Sequence, residues 1–485
     1  MGNVVLDSFR VMNWFIAYRE TERMDTAPPE ETAEESQDKI FRAYSPSFLT
    51  CDDAAACLHD LLIFQRGAEL RWFILKSEQG RFFFAEAVEH SAKPTENSED
   101  SEDSEDSEDD KEPETPISLV VPVSASGQLD VPAGYTVEAV LRSHPASEQG
   151  IGESVSEWGQ RNRFFSISDL SDVMNPRRQY ARCYLSVDGN LLSYTSTNSA
   201  FEKELAPRIA KDRSGALRMF ESMYERGLLP SSIWILLAVT AGEVVTVVPG
   251  VLWRKRGLIK ASWRSDIFQE THTNERMPIF GPVCQNARDV ALQLRLRHQE
   301  TSAGRQSMGF ILKHKTDNVF VVTAPSFSDY ADFDRATLFP KDQHGNPMLP
   351  ADFRVYGIYH SINPFAAGTL PSEEVDREGH FFSPADLRIG LNRLLAAPHQ
   401  GVFLVTFDGA VLCFADAEKS LITGLLAEFF EGLEEKIVSG QITPQMFIDK
   451  VAAVGNLSVL VVSEKWPTLG KVTASSGHQP VQLQS

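Results

Sequence analysis

Apolar and polar positions along the chain alternate between two periods, and the alternation is repeated. From Thr50 to Phe64 apolar residues recur at helical spacing behind Thr50-Cys51-Asp52-Asp53, the spacing of a capping box, so a helix is predicted there. Two short apolar runs follow, Trp72 to Lys76 and Arg81 to Val88, divided by a polar turn, and read as strands. Another strand is predicted over Thr136 to Leu141. An Asp-Gly pair, Asp188-Gly189, sits between two more apolar runs and signals a hairpin. A long amphipathic helix is expected over Phe201 to Arg226, and a helix, turn and strand close the series at Trp253.

The series then begins again. Phe73-Ile74-Leu75-Lys76 returns unchanged as Phe310-Ile311-Leu312-Lys313. Cys51 and Ala54 are matched with Cys284 and Ala287, and Phe164-Phe165-Ser166 with Asp169-Leu170 returns as Phe381-Phe382-Ser383 with Asp386-Leu387. Asp188-Gly189 matches Asp408-Gly409. Gly242, Trp253, Gly257, Ala261 and Ser262 match Gly455, Trp466, Gly470, Ala474 and Ser475. Five blocks in one order establish a tandem duplication. In the second copy a strand is predicted over Phe353 to Tyr359 and a long helix over Leu421 to Val438. The fold class is α/β, a mixed sheet flanked by helices and made twice. The expected boundaries are residues 1–45, an N-terminal strand and an acidic disordered segment; 46–270, the first repeat; 271–476, the second; and 477–485, a disordered tail.

Composition narrows the function classes. The chain has 485 residues, 42% hydrophobic and 10% aromatic, as expected of more than one globular domain. Its net charge is −21, but the stretch from Glu96 to Glu114 carries roughly half of that. The Ser-Glu-Asp run Ser98 to Asp109, within an acidic loop at 92–116, is read as a solvated, disordered spacer, with an acidic partner-binding segment as the sharper alternative. Nothing in this balance favours nucleic acid, and no apolar stretch reads as a membrane span. Five cysteines without a C-x-x-C pair argue against a disulfide framework or a structural zinc site, and for a reducing compartment. With no signal-peptide pattern, a cytoplasmic setting is expected, or export without a cleavable signal.

Chemistry concentrates where one strand ends and the next helix begins. Leu141-Arg142-Ser143-His144-Pro145 and Tyr359-His360-Ser361-Ile362-Asn363-Pro364 are each followed about twenty residues on by S-x-x-D, at Ser166/Asp169 and Ser383/Asp386. This pattern resembles the JAB/MPN metalloprotease-like superfamily, whose signature is H-x-H-P, then S-x-x-D, with a separate upstream Glu. More narrowly, Phe48-Leu49-Thr50-Cys51-Asp52-Asp53-Ala54-Ala55 and the Phe-Ser-x-x-Asp-Leu block resemble a bacterial domain family of unknown function often attached to Rhs/YD-repeat proteins. The resemblance implies a zinc site. Two histidines at i and i+2 share one strand face, an Asp completes the ligands, a Glu activates water and the Ser supports the oxyanion.

Each copy keeps only part of that set. The first has Arg142 at the first His, with His144, Asp169, Ser166 and a candidate base, Glu86. The second has His360, Asp386 and Ser383, with Ile362 at the second His and Thr323 taken as the counterpart of Glu86. His380, near Ser383, is a possible substitute ligand. His144, Asp169, His360 and Asp386 are therefore the candidate metal ligands, and Glu86, Ser166 and Ser383 the candidate catalytic groups. No cofactor is expected, or zinc if any. S-x-x-D is equally a helix cap, and His360 equally a hydrogen-bonded interior histidine. The expected function is a non-catalytic tandem pseudo-metalloprotease that binds a protein partner, in a bacterial toxin or effector context. The alternative is a residual metal-dependent peptidase or isopeptidase.

Overall fold

The computed structural model describes residues 45–62, 70–89, 120–123, 129–143, 147–176, 179–210, 219–263, 276–300, 307–326, 335–361, 380–396 and 399–473. His144, Ile362, the acidic loop, the segments 1–44 and 474–485, and the side chain of Glu86 lie outside the described residues. The chain divides into two compact units, Met1–Thr273 and Asn274–Ser485.

In the first unit, α1 (Cys51–Leu62) precedes β1 (Leu70–Ser77), β2 (Phe82–Glu89), β3 (Val120–Val123) and β4 (Tyr135–Ser143). The chain continues through α2 (Val155–Arg161), α3 (Ile167–Val173), β5 (Arg182–Val187) and β6 (Asn190–Thr195). It closes with α4 (Ala200–Ile209), α5 (Met219–Glu225), α6 (Ser231–Ala241), β7 (Glu243–Val248) and β8 (Gly257–Leu258). The strands form one sheet in the order β3-β2-β1-β4-β5-β6-β7-β8. The β2–β3 and β4–β5 pairs are parallel and the others antiparallel. Helix α1 covers one face, and α3 and α6 pack on the other. Phe164, Phe165, Leu170, Tyr194 and Trp234 fill the core on that second face.

The second unit repeats this plan. Helix α7 (Ala287–Glu300) is followed by β9 (Met308–His314), β10 (Phe320–Val322), α8 (Arg335–Leu338), β11 (Phe353–Ser361), α9 (Pro384–Ala396) and the hairpin β12 (Gly401–Val405) and β13 (Val411–Ala415). Then come α10 (Lys419–Phe430), α11 (Leu433–Val438), α12 (Pro444–Val454), β14 (Asn456–Val461) and β15 (Gly470–Lys471). Its sheet runs β10-β9-β11-β12-β13-β14-β15, with only β11–β12 parallel. Among the described residues this is, strand for strand, the first sheet without β3.

Irregularities repeat too. The register of β1 against β4 slips between Ile74 and Leu75, and that of β9 against β11 slips at the same two letters, Ile311 and Leu312. The β6–β7 slip at Leu191/Leu192 returns in β13–β14 at Val411/Leu412. Shared bulges in a shared topology are inherited features, so the duplication extends to backbone detail.

Three alignments change with this register. Phe48 bridges Phe82 as Cys284 bridges Phe320, which makes Phe48, not Cys51, the counterpart of Cys284. The helix caps agree: Thr50 and Asp53 exchange backbone-to-side-chain bonds, and Asn286 caps Asp289 at the same place, so Cys51 matches Ala287. Ala85 lies opposite Phe73, and Thr323 donates its N–H to the equivalent Phe310, so Thr323 matches Ala85 and Ala324 matches Glu86. A one-residue shift in a strand turns a side chain to the other face, which removes Thr323 as the counterpart of a catalytic base.

Both long helices predicted before the closing strand are interrupted. The first ends at Ile209, with Ala210 extended, and resumes as α5. The second breaks at Gly432, whose φ is 85°, between α10 and α11. Apolar periodicity carries across such breaks because both pieces face the same core. One close approach separates the copies: Gly309 stands where Trp72 does, and a Cβ there would lie 2.3 Å from Tyr359 Cε1. Trp72 instead packs edge-on against Phe84.

Candidate functional site

The register brings each strand end named by the sequence against the start of a helix. In the first unit Arg142, next to last in β4, reaches α3, where its guanidinium donates to Asp169 Oδ1 at 3.1 Å and also to Asp172 Oδ2. Both arms of the fork are engaged, and Asp169 is buried. Burial opposes the charge on Arg142, but Asp169 foremost, with Asp172 and other neighbours, outweighs it and holds the guanidinium charged. In the second unit His360, next to last in β11, faces Asp386 of α9, with Nε2 3.8 Å from Oδ2. Both side chains are buried. Burial pushes the imidazole towards its neutral form, against the opposing pull of Asp386.

Arg142 and His360 are the same position of the repeat, opposite Leu185 and Leu404 in the parallel neighbour strand. The exchange is coordinated. Where Arg142 has a second carboxylate, Asp172, the second unit has Ile389, so the extra anion is present only beside the permanent cation. The guanidinium thus stands where the resemblance would put a metal ligand.

Ser166 and Ser383 act as helix caps. Ser166 Oγ accepts from Asp169 N at 3.0 Å, and Asp169 Oδ2 accepts from Ser166 N at 2.9 Å, a complete capping box. Ser383 Oγ accepts from Asp386 N at 3.1 Å. The same Asp side chains therefore serve cap and cluster together. Pro384 opens α9 at the position where its missing N–H costs nothing.

Among the described residues, no group of three or more His, Cys, Asp or Glu side chains could hold a metal ion. His380 does not complete one. Its Nδ1 lies 3.0 Å from Asp408 Oδ1, in the turn between β12 and β13, so its ring is engaged away from the S-x-x-D cluster. Glu86 occupies β2, two strands from β4, with its backbone paired to Trp72 and Val120.

Sequence reasoning missed a second junction, at which the same exchange occurs. Arg163, the counterpart of His380 immediately before the Phe-Phe-Ser block, bonds Asp188 with Nε at 2.7 Å and Nη2 at 2.6 Å. In both copies the closing tryptophan ties down this residue's backbone: Trp253 Nε1 donates to Arg163 O at 2.9 Å, and Trp466 Nε1 to His380 O at 2.6 Å. Trp253 is a core residue, but Trp466 is half-buried. The matched letters Trp and Asp-Gly were visible in the sequence; the basic residue preceding Phe-Phe was not, because it differs between the copies. On the opposite sheet face a third position reverses the exchange. His59 of α1 bonds Ser186 Oγ through Nδ1 at 2.7 Å, and its counterpart in α7 is Arg295.

No protein-family model matches the chain, and searches of curated proteins and of solved structures return no significant match. Among the described residues no helix is long and apolar enough to cross a membrane.

Proposed function

We propose that the chain is a tandem pseudo-metalloprotease of JAB/MPN-like descent that acts by binding another protein rather than by hydrolysis. The observation that carries this reading is the Arg142 fork on Asp169 and Asp172. A permanently charged guanidinium at a ligand position satisfies the carboxylate a metal would need and repels a second cation. The cap bonds of Ser166 and Ser383 support the same view, because they give both S-x-x-D motifs a structural task. The Rhs-like resemblance sets the role in a bacterial toxin or effector context, and the five free cysteines support a reducing, cytoplasmic setting.

A second reading is favoured only in the second unit, where His360 and Asp386 keep a ligand pair at a strand end. There a residual peptidase or isopeptidase would need a third ligand from outside the described residues. Metal content of the purified full chain, measured by mass spectrometry alongside His360→Ala and Arg142→His variants, separates the two. Zinc far below one per chain in the native protein is the expected result. Near-stoichiometric zinc that vanishes in His360→Ala would overturn the pseudoenzyme reading and identify the second unit as the one to assay.

A further inference from the structure

His399 stands two residues before β12 and is 8% exposed. Neither nitrogen of its ring has a hydrogen-bond partner among the described residues. A polar ring buried without a partner costs stability, so its place in the fold calls for a reason. Two cations act on it: Arg335, the first residue of α8, and Arg393, in the last turn of α9. Burial foremost, then these two guanidiniums, lowers the imidazole to about 4, and the nearby Arg393 backbone offsets this only in part. No carboxylate among the described residues acts on the ring. All three groups are placed by packed backbone. Phe339, whose N–H donates to the Arg335 carbonyl at 2.9 Å, is buried against Phe310. Leu387 and Leu391 bury one side of α9, and the Gln400 N–H donates to the Tyr356 carbonyl at 2.7 Å. Both arginines are half-buried and Gln400 is exposed, so the cluster borders on solvent.

The first unit has a polar ring at the same place. Leu185 and Leu404 face the equivalent Arg142 and His360, and the same step back along the chain from each reaches Tyr180 and His399. Tyr180 is also buried, and its hydroxyl is likewise without a partner among the described residues. The charge around the two rings differs. Arg142, on which Tyr180 acts, is met by two carboxylates of its own unit, Asp169 and Asp172. His399 has two cations beside it and no such carboxylates among the described residues. The first unit supplies its anions from its own chain, whereas the second offers the cationic side of the same place to an anion from outside.

We propose that Arg335, Arg393 and His399 form a binding site for a phosphate group, either the free anion or the terminal phosphate of a monoester. A guanidinium carries five N–H donors in a planar fork that matches phosphate oxygens, so each arginine can serve a ligand whatever else it touches. A neutral imidazole donates one N–H to the same anion. Donors arriving from three elements suit a tetrahedral group with three outward oxygens better than a planar carboxylate with two. The chain's net charge of −21 means that a general attraction of anions to its surface is not expected. The inference stands on this cluster and is independent of the metalloprotease reading.

The test is equilibrium dialysis of the full chain against inorganic phosphate or phenyl phosphate near neutral pH, with ionic strength held constant by sodium chloride. Saturable binding of one phosphate per chain is expected, and the tighter of the two probes tells whether the site takes the free anion or a monoester. Acetate should compete at least about tenfold less well, and Arg335→Gln and Arg393→Gln should each weaken binding about tenfold, the worth of one charge-assisted contact. His399→Phe should weaken binding as well, yet unfold at a higher urea concentration when phosphate is absent. It replaces an unpartnered polar ring with an apolar one, at a position where Tyr180 shows that a larger aromatic ring fits. The two arginine variants decide the question should His399→Phe fail to fold. The proposal is overturned if neither probe saturates below about 20 mM, or if acetate competes as well as phosphate. It is equally overturned if binding is unchanged in both arginine variants, which would mark an adventitious surface ion only.

Discussion

Arg142 holds Asp169 at 3.1 Å from the strand position at which His360 faces Asp386 across 3.8 Å. Two copies of one fold thus keep the same carboxylate against the same strand end and differ in the cation that meets it. The exchange of Asp172 for Ile389 shows that the difference is built into its surroundings. A fixed cation with two anions is a structural ion cluster. A neutral-leaning imidazole with one anion is a weaker pair that burial has already biased against charge.

Removing the fixed cation should therefore be costly. Arg142→Ala leaves Asp169 and Asp172 facing each other with their main cation gone, and a loss of about 3 kcal/mol in unfolding free energy is expected. Urea denaturation of the full chain reads it. A loss below ~1 kcal/mol would mean that solvent reaches the cluster and that the fork adds little.

The capping role of the two serines is separable from any chemical one. Ser166→Ala and Ser383→Ala should each destabilise by about 1 kcal/mol, while Ser→Asn at either site should change stability by only a few tenths. Thermal unfolding of the four variants decides this. No effect from the alanine changes would show that the caps are dispensable and would reopen a reason for these residues other than structure.

Two buried imidazoles give the stability a pH signature. Burial lowers His59 in the first unit to about 4, and burial with the charges of Arg335 and Arg393 lowers His399 in the second to about 4. The folded chain holds both rings neutral, whereas the unfolded chain protonates them below about pH 6.5. Their contribution is complete above about pH 6.5 and is lost as pH falls through that value towards 4, by up to about 3 kcal/mol for each ring. Urea midpoints between pH 7 and 4.5 should fall in the native chain and fall less in His59→Gln. A midpoint that holds constant down to pH 5 in the native chain would contradict the buried neutral rings.

Much of this architecture is legible in the letters, and the omissions have physical causes. Phe-Ile-Leu-Lys, Asp-Gly and the spaced tryptophans locate equivalent strands and turns because core strands and tight turns tolerate few alternatives, although Thr406 closes on Ala410 around a turn one residue longer than the Asp188-Gly189 hairpin. Asp188 and Gly189 both take positive φ, 48° and 75°, which few residue pairs accept. The Cys51–Cys284 match misleads because small apolar residues are interchangeable at the start of a packed helix; the caps, made by Thr50 in one copy and Asn286 in the other, carry the true register. Thr323 was aligned one residue off for a related reason, since nothing in a short apolar strand fixes its register without its partner. The Arg142–His360 exchange is legible because a motif frames it, whereas the Arg163–His380 and His59–Arg295 exchanges are invisible to a search for identical letters.

The tryptophans offer a test of that asymmetry. Each indole N–H has a carbonyl partner, but Trp253 is 5% exposed and Trp466 is half-buried. Trp253→Phe removes a bond made by a buried indole and should cost about 2 kcal/mol, while Trp466→Phe, at a half-exposed indole, should cost less than about 1 kcal/mol. Comparing the two by denaturation checks the ordering, and equal losses would refute it.

Gly309 has a meaning for synthesis as well as for packing. A chain that carries Phe-Ile-Leu-Lys twice offers each nascent sheet two interchangeable central strands, and pairing with the wrong one would knit the two halves together. The residue just before the repeat is one place where the two strands are not interchangeable. Trp72 in Gly309's place would drive an indole into the ring of Tyr359, where even a Cβ comes within 2.3 Å. Gly309 in Trp72's place would leave Phe84 without its edge-on neighbour. A single steric difference, set one residue upstream of the letters that are the same, thus tells the two strands apart.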